Sequence, residues 1–253
     1  MFDWTSLASE LDRWSTEGRT AKFWWRDDDA IEATPSLDKL LRLSETAKVP
    51  ITLAVIPAFA NISLAQVTEQ LPQVSIAVHG YSHTNYAPKG EKKLELGTQR
   101  PTETVIAELT EGKAILEKLF PRGFNQALVP PWNRIDQEII ERIEELGFTA
   151  LSTFQPRGSE QATSGVCQVN CHIDPIDWHG TRSLADPQNL IAYISALLER
   201  QRQGTIDNQE PLGLLTHHLV HDEAIWAFTE DFIKTIENHP SAKFVIGLER
   251  RNV

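Results

Sequence analysis

Phe23-Trp24-Trp25-Arg26-Asp27-Asp28-Asp29 is an aromatic run that ends in three adjacent carboxylates. Aromatics favour a pleated, buried strand, so the acids stand at its C-terminal edge, against the core. Like charges in that position repel one another and resist desolvation, and a bound cation is the usual compensation. The pattern repeats outward from this point. With Lys22–Arg26, apolar runs at Ile51–Ile56, Val74–Val78, Asn125–Val129, Phe148–Thr153, Leu212–Leu215 and Phe244–Leu248 read as strands. Helical periodicity fills Ser36–Ala47, Ser63–Leu71, Thr102–Leu119, Asp136–Leu146, Pro187–Arg202 and Glu223–Glu237. The N-terminal stretch adds a helix with Trp4, Leu7, Leu11 and Trp14 on one face. Strands separated mainly by helices predict an α/β fold with a largely parallel sheet, open or closed into a barrel. Asp27–Asp29, His79, Pro130–Asn133 and His217 each fall just past a predicted strand end. Parallel α/β folds gather their active sites at that edge.

The chain has 253 residues, and no repeat or linker divides it, so residues 1–253 are expected to form one domain. A hydrophobic content of 41% marks a folded protein rather than a disordered one. The formal charge of −11, with no basic cluster interleaved with aromatics, argues against nucleic acid as a partner. No apolar run approaches the roughly eighteen residues of a membrane span. The first residues lack the basic and apolar regions of a signal peptide, and Cys167 and Cys171 are the only cysteines. Both features point to the cytoplasm. Gln155–Gly165, rich in Ser, Gly, Thr and Gln, reads as a mobile loop.

Val78-His79-Gly80-Tyr81-Ser82-His83 sets two imidazoles four residues apart. On one helical turn that spacing puts both rings on one face, where one ion can hold them. With a carboxylate from the acidic triplet they make a three-ligand site that leaves positions for water and substrate. Asn85, in the same loop, is placed to steady a ligand ring. Pro130-Pro131-Trp132 reads either as a rigid turn or as a flat apolar wall for a sugar ring. Gly213-Leu214-Leu215-Thr216-His217-His218 is a strand ending in histidines, one of which can instead bond a helix terminus. Cys167-x-x-x-Cys171-His172 offers too few ligands for a structural zinc site and reads as core.

These residues together resemble the polysaccharide deacetylase, or NodB-homology, superfamily (carbohydrate esterase family 4 and its relatives). The matching motifs are Asp28-Asp29-Ala30, His79-Gly80-Tyr81-Ser82-His83, Val129-Pro130-Pro131-Trp132-Asn133, Asp174-Pro175-Ile176-Asp177-Trp178 and Leu215-Thr216-His217. They fall in family order across residues 23–218. The resemblance implies a distorted seven-stranded (β/α) barrel. It also implies hydrolysis of an amide, the substrate being an N-acetylated amino sugar or a related small molecule; the cytoplasmic reading turns this towards a soluble oligosaccharide, a nucleotide-sugar or a small amide rather than a wall polymer. By the same resemblance Asp29, His79 and His83 hold a divalent ion, zinc being the expected one. Asp28 is the general base and His217 the general acid, with His218 its alternate. Pro131, Trp132, Asn133 and Trp178 line the substrate site, and Asp177 supports it. A rival register takes Asp27 and Asp28 as the acidic pair. One departure stands out: the family's third motif opens on an arginine that pairs with the catalytic aspartate, and here that position is Val129. Arg26 is the expected replacement and Arg134 the alternative. Two other functions stay open: a metal-independent hydrolase of another non-peptide C–N bond and a carbohydrate- or metabolite-binding pseudoenzyme, which would explain the missing arginine. A metal that serves stability alone is a third.

Overall fold

A computed structural model describes residues 2–248. Its strands are β1 (Ala21–Ala30), β2 (Ile51–Val55), β3 (Val74–His79), β4 (Phe124–Val129) and β5 (Ala150–Leu151), then β6 (Gln161–Thr163), β7 (Val166–Gln168), β8 (Cys171–Ile173), β9 (Leu212–Thr216) and β10 (Ala242–Phe244). Its helices are α1 (Thr5–Thr16), α2 (Pro35–Ala47), α3 (Ile62–Thr68), α4 (Thr102–Leu119), α5 (Gln137–Ile140), α6 (Pro187–Arg202) and α7 (Glu223–Glu237). Local chemistry sets the helix starts. Thr34, Asp186 and Asp222 accept the N–H groups of Leu37, Asn189 and Ile225 as caps, and Pro35 and Pro187 occupy first-turn positions.

Strands β1 to β5 pair in order and in parallel, and β9 and β8 extend the sheet from the other side of β1. A parallel bridge between Phe154 and Cys171 joins the two ends. There Cys171 donates its N–H to Thr153 O at 2.9 Å, and Gln155 donates to Cys171 O at 2.8 Å. The ring β1–β2–β3–β4–β5–β8–β9 is therefore closed, with seven parallel strands as the resemblance implied.

Alternation along the strands sorts the core into two layers. Trp24, Ala54, Ala77, Ala127, Val129, Ala150, Cys171 and Leu215 cluster inside the ring. The alanines leave room for the Trp24 indole, whose Nε1 donates to Asn170 O at 3.0 Å. Phe23 and Trp25 face the other way, into the larger cluster beneath the helices. Under the barrel, strand pairing ends at Phe244, and Gly247 lies so close to Trp24 that a Cβ would sit 2.2 Å from its Cε3. The expected strand Phe244–Leu248 is thus displaced to Ala242–Phe244, because Val245 and Leu248 pack on the inner cluster instead.

Two other expectations shift. Only Gln137–Ile140 of the predicted Asp136–Leu146 helix is helical, and the chain then turns to Gly147, at φ +77°. The predicted Gln155–Gly165 loop contains β6, which folds back antiparallel on β7 through Gly165.

Candidate metal centre and active site

Strand β1 is longer than expected, so the acids lie within it rather than after it. Alternation then sends Asp27 and Asp28 to opposite faces. Asp27 points outward, opposite Thr216 of β9, and is fully buried. Its Oδ2 accepts the Thr216 hydroxyl at 2.7 Å and the His218 N–H at 3.0 Å, while Oδ1 meets His218 Nδ1 at 2.5 Å. Asp28 points into the barrel mouth. Register breaks between Asp27 and Ala30, and Asp29 takes φ +73°, which swings its carboxylate towards the end of β3.

There Asp29 Oδ1 lies 3.2 Å from Nε2 of both His79 and His83. Ligand atoms of the three residues all fall within 4.8 Å of one another, and they form the one such group among the described residues. The donor set fits a divalent ion. His79 donates Nδ1–H to Val129 O at 2.9 Å, which fixes the ring with Nε2 towards Asp29, the atom that would bind an ion once its proton leaves. Burial and the neighbouring His79 push His83 below its ordinary pKa, so its imidazole is neutral and ready to ligate. Burial works against the Asp29 charge, but the His79 hydrogen bond and the nearby imidazoles outweigh it and hold the carboxyl below the usual range.

The two histidines meet differently from the helical turn their spacing predicted. After β3 the chain reverses through Gly80 at φ +58°, and His83 sits at φ +55°. A Cβ at Gly80 would lie 2.0 Å from Glu95 Oε2 and 2.6 Å from Pro131 Cγ, so only glycine fits. Glu95, which sequence reasoning missed, is fully buried. It accepts the N–H groups of Tyr81, Ser82 and Thr84 at 3.2, 2.8 and 3.3 Å and thereby fixes the loop that carries His83. Asn85 serves the loop rather than a ligand ring, accepting from Ala87 and Leu94 N–H. Trp132 and Asn133 are also left-handed, at φ +55° and +57°. Strained residues of this kind cost roughly 1–3 kcal/mol each and cluster where a site demands them.

Arg26 takes the interior place beneath Asp28. It is fully buried; its Nε lies 2.8 Å from Asp28 Oδ1, and its Nη2 donates to Asp28 Oδ2 at 3.0 Å. The remaining donors reach Asn133 Oδ1 at 2.6 Å and Ser152 Oγ at 2.7 Å. Arg134 is elsewhere, donating to Lys93 O at 3.1 Å. Val129 and Arg26 both face the barrel interior, so a guanidinium can reach Asp28 from β1 as well as from the end of β4.

The other expected residues divide. Pro131 is buried against Gly80 and offers no wall to a substrate. Asn133 is spent on Arg26 through its Oδ1, and its N–H donates to Pro130 O at 2.9 Å. Trp132 is half-buried with its ring 4.4 Å from that of His83, and Trp178 meets His217 edge-on at 4.9 Å. Asp177 turns away and caps its own turn, accepting from Gly180 and Thr181 N–H at 3.0 and 3.1 Å. Asp174 stands in its place. It accepts Trp178 Nε1–H at 2.7 Å, and burial pushes its pKa up while His217 pulls it down. His221 is driven by burial down to about 4, so it is neutral, and its Nε2 accepts the His217 N–H at 3.3 Å. Cys171 lies in the core, its thiol pushed by burial up to about 12, and His172 Nδ1 accepts Gly213 N–H at 3.0 Å.

A family model described as polysaccharide deacetylase matches residues 26–151, the segment that carries the acids and both histidines. The chain belongs to the polysaccharide deacetylase family. The family's deacetylases are hydrolases of carbon–nitrogen amide bonds. No curated protein sequence matches the chain significantly. Solved structures share its fold at low identity. A Mycobacterium smegmatis protein assigned as a polysaccharide deacetylase is 18% identical, with a TM-score of 0.61 over 91% of this chain and 88% of that one. A Streptococcus mutans family 4 esterase is 14% identical, at 0.58 over 94% and 90%. A Clostridium thermocellum family 4 acetyl xylan esterase, solved with a cobalt ion, is 14% identical, at 0.51 over 89% and 87%.

The Asp27–His218 pair behind this family site has a pH signature. Burial disfavours both charges, but each outweighs that cost for the other: the Asp27 pKa is held down and the His218 pKa is held up. The Asp27 contribution to stability is present above the ordinary carboxylate pKa, about 4, and is lost as pH falls through the depressed value. The His218 contribution is present below about 6.5 and is lost as pH rises through the raised value. Asp27→Asn is therefore expected to cost about 3 kcal/mol between roughly pH 4 and 6.5, and less on either side. Urea unfolding of both proteins across pH checks this, and a pH-independent difference contradicts it.

Proposed function

We propose that the protein is a metal-dependent N-deacetylase acting on an amino sugar, a soluble oligosaccharide or a related small amide. The observation that carries this reading is the convergence of Asp29, His79 and His83 beside the Arg26–Asp28 pair at one barrel mouth. Those three residues would hold the ion, with zinc the expected one. A divalent ion there supplies Lewis acidity, which acidifies water and polarises an acyl oxygen. Asp28, oriented by Arg26, accepts a proton from the attacking water as its oxygen bonds to the carbonyl carbon. His217 gives a proton to the amine nitrogen as the C–N bond breaks, and acetate and a free amine leave. Trp132 and Trp178 flank the sugar, and Asp174 with Trp178 holds the His217 side of the site. We further propose one domain and a cytoplasmic location, the latter on the free thiols of Cys167 and Cys171. No described helix is long and apolar enough to cross a membrane.

The missing third-motif arginine was the main argument for a binding protein, and Arg26 at Asp28 weakens it. Elemental analysis, paired with acetate release from an N-acetylated chitooligosaccharide, tests the reading. The expected result is one divalent ion per chain, activity lost to a chelator and activity restored by zinc. Protein that takes up no metal after zinc incubation overturns the mechanism, and turnover without metal selects the metal-independent alternative.

A further inference from the structure

Beside Trp132 the rim of the barrel carries an excess of positive charge. Lys89, Lys92 and Lys93 fall within one short loop with Glu91 as the single acid, in a chain of formal charge −11. All three lysines are exposed, and neither they nor Arg134 joins an ion pair among the described residues. The loop is nonetheless drawn together. Arg134 donates to Lys93 O at 3.1 Å, and the Lys93 ammonium lies 5.5 Å from the centre of the Trp132 ring. Trp132 in turn packs on His83, so the Lys93 ammonium stands one ring away from the proposed metal ligands.

A cavity of about 440 Å³ opens next to this loop, lined by Lys92, Asn133, Arg134, Thr153 and Gln168 among others. It backs on the catalytic machinery, since Arg26 donates to Asn133 Oδ1 and to Thr153 O. Asp136 also lines it, held by the Thr98 N–H and hydroxyl at 2.8 and 3.0 Å, so Asp136 and Glu91 stand as two carboxylates against the four cations Lys89, Lys92, Lys93 and Arg134. Cations in excess of their protein counter-charges repel one another, and an anionic ligand relieves that repulsion while gaining orientation and on-rate.

We propose that the substrate carries an anionic substituent, phosphoryl or carboxylate, on or next to the N-acylated sugar, and that Lys92, Lys93 and Arg134 bind it. The proposal rests on the deacetylase reading above. The test compares N-acetylglucosamine, N-acetylglucosamine 6-phosphate and N-acetylmuramic acid, by calorimetric binding and by acetate release, in the metal-loaded protein. At least one anionic sugar is expected to bind about tenfold or more tighter than the neutral one, and which of them does separates phosphoryl from carboxylate. That preference is expected to shrink at high salt, where screening shortens the reach of exposed charges. It is expected to vanish in the triple variant Lys92→Gln, Lys93→Gln, Arg134→Gln, with circular dichroism as the check on folding. Equal binding of all three sugars, no binding of either anionic sugar, or a preference that survives the triple substitution overturns the proposal. Selective anion binding without acetate release from any sugar sinks the deacetylase reading and leaves the anion site standing. Acetate release without preference does the reverse.

Discussion

Asp28→Asn is expected to retain the divalent ion and lose turnover by about a thousandfold, within the range that a positioned general base contributes. Asp29→Asn is expected to lose most of the metal and, with it, the activity. The two carboxylates are neighbours in sequence, yet the strand turns them towards different partners. Asp28 faces inward onto Arg26, whereas Asp29 leaves the strand at φ +73° and faces His79 and His83. Asp27 faces away from both, with its oxygens on Thr216 and His218 at the helix side of the sheet. Elemental analysis and acetate release on the same preparations decide the matter. Loss of metal from Asp28→Asn, with Asp29→Asn still loaded, would restore the Asp27–Asp28 register that the geometry disfavours.

How much of this was legible beforehand depended on how locally each feature is encoded. Helices Thr102–Leu119, Pro187–Arg202 and Glu223–Glu237 have the bounds their periodicity and punctuation predict, because caps and apolar faces are local. The closed ring was implied by resemblance alone, since period-two and period-3.6 patterns do not distinguish an open sheet from a barrel. The site was legible as far as residue type went. His79, His83 and an adjacent acid were found, but not the left-handed turn that brings them together, although Gly80 directly after His79 was a usable signal. Glu95 was invisible, because its partners are backbone N–H groups and a lone glutamate beside lysines reads as solvated surface. Asp174 was passed over for Asp177, the acid next to Trp178. That preference missed an Asx-type turn, which draws Asp177 onto its own following N–H groups and leaves Asp174 to meet the indole.

Arg26→Gln is expected to cost 3–5 kcal/mol of stability, the range found when one partner of a buried ion pair is removed. Arg26 and Asp28 are 0% and 2% exposed, so neither water nor counterions can replace the lost charge. The substitution also frees Asn133 Oδ1 and Ser152 Oγ, both of which accept from the guanidinium, and so loosens the Trp132–Asn133 turn. The cause is nevertheless the unpaired carboxylate, and a double-mutant cycle isolates it. Asp28→Asn alone leaves a buried guanidinium, Arg26→Gln alone leaves a buried carboxylate, and the double variant leaves two neutral amides that can bond each other. The double variant is therefore expected to be more stable than the sum of the single losses by at least about 2 kcal/mol, measured by urea unfolding near neutral pH. Strict additivity would mean that the two groups do not act as a pair, and the claim that β1 supplies the cation missing at Val129 would fail with it. A large coupling would show that Asp28, the proposed base, depends on a cation inside the barrel, whichever strand delivers it.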